Sequence, residues 1–321
     1  MTTRSIILIF PHDKNSMKLI TAFLRLIRWP NLAFIILTQV LFYYCIYHSL
    51  FHYSNIKSLL WIIIASVLIA AAGYIINDYF DLNIDQINKP GKNVFVKAIH
   101  RRWAIIWHFV FSVLGIVATA MAVGFDKWYL ILAIFRCVAL LWFYSTSFKR
   151  QLLVGNIVIS LLTSWTVLIL FFAFTSPRDA VLGNNTETIK FFRTSFLYAG
   201  FAFISSLIRE GIKDMEDMEG DARYGCKTLP IVAGIRSTKI YVTVWTVVLL
   251  ASLIVLQLYV LQFQWWYAIA YSVVLIIAPM IVLLIRLPKA NSRIEFARLS
   301  SLSKLIMLTG IVSMIFFRIY F

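Results

Sequence analysis

The chain has 321 residues, of which 61% are hydrophobic and 14% are charged, and its mean hydropathy is +0.84. Soluble domains carry roughly a quarter charged residues, so this composition excludes an ordinary soluble protein and indicates an integral membrane protein. The formal net charge of +16 would also suit a nucleic-acid partner. In a membrane protein, however, excess lysine and arginine is typical of cytoplasmic loops, and we expect no nucleic-acid partner.

Taken in chain order, the sequence begins with a tail, residues 1–18, followed by a single transmembrane domain, residues 19–321. Residues 17–30 are basic and amphipathic, which predicts an interfacial helix leading into the first span. Nine apolar stretches approach the roughly 20 residues that a spanning helix needs. They are residues 24–48, 58–77, 103–123, 127–147, 154–174, 191–209, 239–260, 265–286 and 303–320.

Lysine and arginine are distributed unequally between the two sides of this nine-span arrangement. One side holds 23 of the 30 basic residues and the other holds six. The richer side consists of the N-terminal segment, the adjoining helix ends and the loops at residues 78–102, 148–153, 210–238 and 287–302. This bias places the N-terminus and the richer side in the cytoplasm. The glycines of the 210–238 loop would allow that loop to act as a lid.

Two short acidic segments follow the second and the sixth span. Residues 77–85 read NDYFDLNID, and residues 213–221 read KDMEDMEGD. Each contains aspartates at positions i, i+3 and i+7, a spacing that places all three on one face of a helix. They are Asp78, Asp81 and Asp85 in the first segment and Asp214, Asp217 and Asp221 in the second. The matched spacing and position predict a degenerate internal repeat.

Three like charges on one face of an apolar helix are unfavourable unless a cation binds them. Two facing sets of carboxylates make an all-oxygen site suited to Mg²⁺, which keeps several waters and shares substrate phosphates. The pattern therefore predicts a magnesium cofactor and a phosphorylated substrate. A single DxxD could equally be a charged helix end, but its repetition with identical spacing argues against that interpretation.

These segments resemble the NDxxDxxxD and DxxDxxGD motifs of the UbiA superfamily of intramembrane prenyltransferases. The resemblance implies an all-α bundle of nine transmembrane helices around a central cavity. It also implies Mg²⁺-dependent transfer of a polyprenyl group from an allylic polyprenyl diphosphate to a membrane-soluble acceptor. We expect such a protein in the lipid bilayer of a bacterial inner membrane, with its N-terminus and active site on the cytoplasmic side.

The resemblance also implies roles for individual residues. The expected catalytic residues are the direct Mg²⁺ ligands, Asp78 and Asp81 in the first motif and Asp214 and Asp217 in the second. The remaining two aspartates, Asp85 and Asp221, are expected to bind the metal through water. The expected substrate-binding residues are Arg28, Asn31, Asn77, Lys149, Arg150, Arg209 and Lys213. Among them, Arg28 and Asn31 match an RxxN pattern where acceptor contacts are expected, and Lys149 ends a YSxxxK-like segment.

The acceptor is less well defined by the sequence. Residues 86–93, QINKPGKN, resemble the INRPxR segment of the branch that makes geranylgeranylglyceryl phosphate ethers, so a geranylgeranylglyceryl phosphate-like acceptor is our first expectation. The PxG segment that usually follows is replaced here by residues 94–102. An aromatic acceptor of quinone biosynthesis, of hydroxybenzoate or naphthoate type, is the alternative.

Two functions of other classes are alternatives to prenyl transfer. An ion-coupled membrane transporter would also use intramembrane carboxylates and internal repeats, but transporter sites lie near the middle of the membrane on broken helices, whereas these motifs lie at helix ends. An inactive or chaperone-like relative is a further possibility, against which the retention of all six aspartates argues.

Overall fold

The computed structural model describes residues 14–88, 101–176, 178 and 185–320. Within these residues the chain is helical and forms no β-strand, and nine of its helices are long and apolar enough to cross a membrane. This confirms the prediction of an all-α membrane protein. Most of the QINKPGKN segment and of the replaced segment after it lies outside the described residues, as does most of the predicted tail.

The helices follow the predicted order closely. A short helix, α1 (Lys14–Leu26), precedes the spans, and α4 (Leu82–Asn88) and α9 (Leu229–Val232) are short helices between them. The nine spans are α2 (Trp29–Phe51), α3 (Ile56–Phe80), α5 (Arg101–Val123), α6 (Trp128–Thr146), α7 (Val154–Phe174), α8 (Thr186–Arg223), α10 (Gly234–Leu261), α11 (Trp266–Lys289) and α12 (Arg293–Tyr320). Lipid offers no hydrogen-bond partners to backbone N–H and C=O groups. A helix pairs these groups within itself, so helices can cross the membrane.

The junction between α1 and α2 places Arg28 beside the bundle. The chain leaves α1 through Arg28, whose φ of 50° is in the left-handed region, and α2 begins at Trp29 with Pro30 in its first turn. Proline is favourable there because its missing N–H has no partner in a helix's first turn. The predicted amphipathic entry helix is therefore present, and the first span begins a few residues later than expected.

The largest difference from the sequence prediction concerns the sixth span. Helix α8 continues without a break to Arg223, so the prediction of a loop from residue 210 to residue 238 is wrong for its first half. The charged residues end the apolar run but not the helix, because Glu, Lys and Met are good helix formers. Gly211 and Gly220 lie inside this helix, which is inconsistent with hinges at those two positions.

Helix α8 also joins two apolar clusters of the core. On one side, Phe191 packs with Phe42 and Phe171 from α2 and α7. On the other, Ile212 packs with Val242 and further residues of α10, α11 and α12. The helix that carries the second acidic motif is therefore anchored along most of its length.

A lysine outside the spans caps the end of a neighbouring helix. Lys127, in the turn before α6, donates hydrogen bonds to the carbonyl oxygens of Phe172, Ala173 and Thr175, at 3.1, 2.7 and 3.2 Å. These carbonyls lie at the C-terminal end of α7, where the last carbonyl groups have no partner within the helix. The contact fixes the turn between α5 and α6 to the end of α7.

We expect Lys127→Met to lower the free energy of unfolding by about 1–3 kcal/mol, because three partly buried carbonyl groups at the end of α7 lose a charged donor. The midpoint of thermal unfolding in detergent measures this effect. Lys57→Met is the matched control, since Lys57 is an exposed lysine at the start of α3. Equal midpoints for the two variants would contradict the capping role.

Candidate active site

A cavity of about 340 Å³ lies among the helices. Its far end is lined mainly by apolar and aromatic side chains, among them Ile69, Trp165 and Met314. The charged residues cluster at the opposite end. They are Arg28, Asp81, Asp85, Lys149, Arg209, Glu210, Lys213, Asp214, Asp217, Asp221 and Lys304.

Both acidic motifs reach this charged end. Five of the six predicted aspartates line the cavity, and we call them the acidic pole: Asp81, Asp85, Asp214, Asp217 and Asp221. The first motif arrives on the end of α3 and on α4, and the second arrives on α8. Two segments that are far apart in sequence thus present carboxylates to one space.

The first motif is not the uninterrupted helix that the spacing predicted. Helix α3 ends at Phe80, and Asp81 has φ −87° and ψ 1°, outside the α-helical region, before α4 begins. The cavity face of this segment carries Asn77, Asp81 and Asp85, at intervals of four residues.

Asp78 faces another direction. Its Oδ1 accepts a hydrogen bond from Nη2 of Arg28 at 2.6 Å. Among the described residues Asp78 does not line the cavity, whereas Arg28 does. Direct metal binding by Asp78 stays a prediction; one contact of its carboxylate in the structure is the hydrogen bond from Arg28.

Two of the predicted substrate-binding residues contact Asp81. The side-chain amide of Asn77 donates to Oδ2 of Asp81 at 2.8 Å, and the ammonium group of Lys149 forms an ion pair with Oδ1. Arg150 is different, because it is exposed and does not line the cavity within the described part of the chain. Lys149 and Arg150 are adjacent in a 3-10 turn, which directs their side chains differently.

Two asparagines that the sequence analysis did not select connect the second motif to its neighbours. Asn156, at the start of α7, donates through Nδ2 to Oδ2 of Asp214 at 2.8 Å. Asn88, at the end of α4, accepts a hydrogen bond through Oδ1 from the backbone N–H of Gly220 at 3.0 Å. The sequence did contain a signal for both asparagines, because a polar side chain within or beside an apolar span usually has a functional role.

A group of basic residues lies on α8, α12 and the start of α2. We call Arg28, Arg209, Lys213 and Lys304 the basic wall, and all four line the cavity. Arg209 is ion-paired with Glu210 through Nη1, and Nζ of Lys304 lies 3.5 Å from Oδ1 of Asn31. Lys304 was not among the residues predicted from the sequence, because a lysine at the start of the predicted ninth span, residues 303–320, is typical of the cytoplasmic side.

A cysteine also lines the cavity. Burial, together with the nearby carboxylate of Asp221, raises the pKa of the Cys226 thiol to about 11. A protonated thiol is a poor nucleophile, which argues against a covalent role for Cys226.

The acidic pole fits a magnesium ion that is shared with a phosphorylated substrate. Among the described residues, no three His, Cys, Asp or Glu side chains are close enough together to form a complete protein metal site. Magnesium does not need one, because it usually takes one or two carboxylates, several waters and substrate phosphates. Within the described part of the chain, the buried Oδ1 of Asp217 has no hydrogen-bond partner, and a bound cation or its water would provide one.

The fold and the site together define a polytopic helical membrane protein with a carboxylate-lined cavity between its helices. Residues 36–302 match the model of the UbiA prenyltransferase family. The chain belongs to this family, which confirms the resemblance of the two motifs.

Two curated relatives show the same level of similarity. Digeranylgeranylglyceryl phosphate synthase from Methanothermobacter thermautotrophicus is 35% identical over 204 residues, which cover 62% of this chain and 65% of that protein. The protein of the same name from Sulfurisphaera tokodaii is 35% identical over 188 residues, covering 57% and 60%. The chain thus spans about 60 to 65% of the length of these relatives.

Solved structures share the whole fold. A structure described as giving insight into the biosynthesis of digeranylgeranylglyceryl phosphate synthase in membranes has a TM-score of 0.59 and 25% identity, covering 93% of this chain and 99% of that one. A UbiA homologue from Archaeoglobus fulgidus, bound to DMAPP and Mg²⁺, has a TM-score of 0.57 and 17% identity, covering 91% and 98%. At 17% identity the second likeness concerns the fold alone.

Proposed function

We propose that this protein transfers a polyprenyl group from an allylic polyprenyl diphosphate to a glyceryl phosphate acceptor in the membrane, with Mg²⁺ as cofactor. The observation that carries the proposal is the meeting of both aspartate motifs at one end of a cavity whose other end is apolar. Such a cavity suits a substrate with an anionic head and a long apolar tail. The names of the relatives and the QINKPGKN segment support the glyceryl phosphate acceptor.

The charged end would bind the diphosphate and assist its departure. When bound, Mg²⁺ would neutralise the charge that develops on the leaving diphosphate. The acidic pole would hold the metal, and Lys149, beside Asp81, would contribute a positive charge to the phosphate oxygens. The bond between the allylic carbon and the diphosphate oxygen breaks, and the acceptor oxygen forms a bond to that carbon.

The rest of the cavity would protect the reacting carbon from water. Tyr74 and Tyr144 line the cavity near its charged end, where aromatic rings can stabilise positive charge on the allyl group. The proton of the acceptor hydroxyl would pass to the released diphosphate or to a motif carboxylate. For Asp78 we infer a positioning role, because its hydrogen bond to Arg28 holds that guanidinium at the cavity edge.

We also infer that the charged end faces the cytoplasm, since the lysine- and arginine-rich side of the chain is the side on which both motifs lie. A bacterial inner membrane stays a prediction from the sequence.

Removal of the metal is expected to abolish activity. The purified protein should release diphosphate when it is supplied with Mg²⁺, geranylgeranyl diphosphate and geranylgeranylglyceryl phosphate. EDTA should stop this release and added Mg²⁺ should restore it, because the carboxylates of the acidic pole cannot replace the cation. Diphosphate release that continues in EDTA would contradict the metal assignment, and activity only with a hydroxybenzoate or naphthoate acceptor would contradict the glyceryl phosphate assignment.

A further inference from the structure

The basic wall carries more positive charge than its own carboxylates can neutralise. Arg28 is paired with Asp78, and Arg209 is paired with Glu210. Among the described residues, no carboxylate oxygen lies within ion-pair distance of the ammonium groups of Lys213 or Lys304. Two ammonium groups therefore remain on this wall without a carboxylate partner, and Lys304 has only the side-chain oxygen of Asn31, at 3.5 Å.

Lys304 is the more unusual of these two residues. It lies within the helix α12, its side chain is only partly exposed, and it lines the charged end of the cavity. Its charged neighbours are the like charges of Arg28, Arg209 and Lys213 and a single carboxylate, that of Glu210, which is paired with Arg209. Lysine in an apolar helix is unfavourable and usually marks a functional site. Three neighbouring cations against one carboxylate make this position more unfavourable unless a further anion binds.

A second observation also indicates an anion. Nε of Arg209 is buried and has no hydrogen-bond partner in the described part of the chain. Buried donors are nearly always paired, so this N–H is available to an acceptor group in the cavity. The donor and the two ammonium groups lie on the same wall.

We propose that Lys304, with Lys213 and Arg209, forms a second anion subsite that binds the phosphate head of the acceptor. This inference rests on the proposed function and names the part of the site that selects the acceptor. A phosphate monoester carries about −1.5 to −2 charges at pH 7, which matches the two ammonium groups that have no carboxylate partner. The diphosphate has its own place at the acidic pole, where Lys149 is paired with Asp81.

The test compares the KM values of the two substrates in Lys304→Met. Loss of a charge-assisted hydrogen bond should raise KM for geranylgeranylglyceryl phosphate about 10- to 100-fold, while KM for geranylgeranyl diphosphate changes little. Lys304→Arg should restore most of the acceptor affinity, because it keeps the charge. Arg298→Met is the matched control, since Arg298 is an exposed basic residue on the same helix.

The unphosphorylated acceptor alcohol provides a second measurement. The wild-type protein should prefer the phosphorylated acceptor, and Lys304→Met should lose most of that preference. An unchanged KM for the acceptor, or a rise confined to the KM for geranylgeranyl diphosphate, would overturn the subsite. If the wild-type protein transferred no prenyl group at all, the proposed function would fail first, so the two failures are distinguishable.

Discussion

Asp217→Asn is expected to lower kcat by about 100-fold or more, because loss of even an outer-shell partner of a metal site costs about 10- to 100-fold in activity. Asp217 lines the cavity, and its Oδ1 is buried without a hydrogen-bond partner among the described residues. An amide has nearly the same size but no charge, so the substitution removes the electrostatic attraction to the cation. Steady-state kinetics over a range of Mg²⁺ concentrations measures the effect, and raising the Mg²⁺ concentration should partly restore activity.

Glu219→Gln is the matched control for this experiment. Glu219 belongs to the same motif, but its side chain is 66% exposed and its carboxylate is paired with Arg223 on the helix surface. Exposed ion pairs contribute little, so kcat should stay close to the wild-type value. An equal loss of kcat in the two variants would show that the effect is not specific to Asp217. A wild-type kcat in Asp217→Asn would contradict the role of Asp217 at the metal.

Gly220→Ala is expected to lower both stability and activity. The side-chain amide of Asn88 packs directly on Gly220, and a Cβ atom at position 220 would overlap it. Overpacking of this kind costs about 1–3 kcal/mol of stability. Because this contact joins α4 to α8, displacement of Asn88 would also move the two motifs relative to each other, and a misplacement of about 1 Å can cost about 100-fold in rate.

The same helix offers a matched control for this glycine. No described atom lies within 4 Å of a Cβ built on Gly200, so Gly200→Ala should be neutral or stabilise α8 by up to about 1 kcal/mol. Thermal unfolding in detergent and the kcat of prenyl transfer measure the two effects. A Gly220→Ala variant that matched Gly200→Ala in both would show that the contact between Asn88 and Gly220 is not required.

The sequence was sufficient for the parts of the protein that depend on local pattern. Nine apolar runs predicted nine spans, and the spacing of the aspartates predicted which segments would supply carboxylates. The direction of Asp78 could not be predicted in this way, because it depends on the interruption of the helix at Asp81 and on the arrival of Arg28 from α1. Periodicity assumes a regular helix, and this one is interrupted within the motif.

Tertiary contacts account for the residues that the sequence analysis missed. Asn88, Asn156 and Lys304 are far apart in sequence, and each reaches the site only when its helix packs against α8 or α2. The end of the sixth span was also placed too early, since hydropathy measures affinity for lipid and α8 faces a polar cavity beyond Arg209. Charge in that segment marks the site rather than the end of the helix.

The product of the reaction tests the central claim most directly. The purified protein would be supplied with Mg²⁺, geranylgeranyl diphosphate and a mixture of geranylgeranylglyceryl phosphate and hydroxybenzoate, and its products would be identified by mass spectrometry. We predict one main product, the glyceryl phosphate that carries a second geranylgeranyl ether, and we predict its absence in Asp217→Asn. A prenylated hydroxybenzoate, or the ether product at the wild-type rate from Asp217→Asn, would contradict this account.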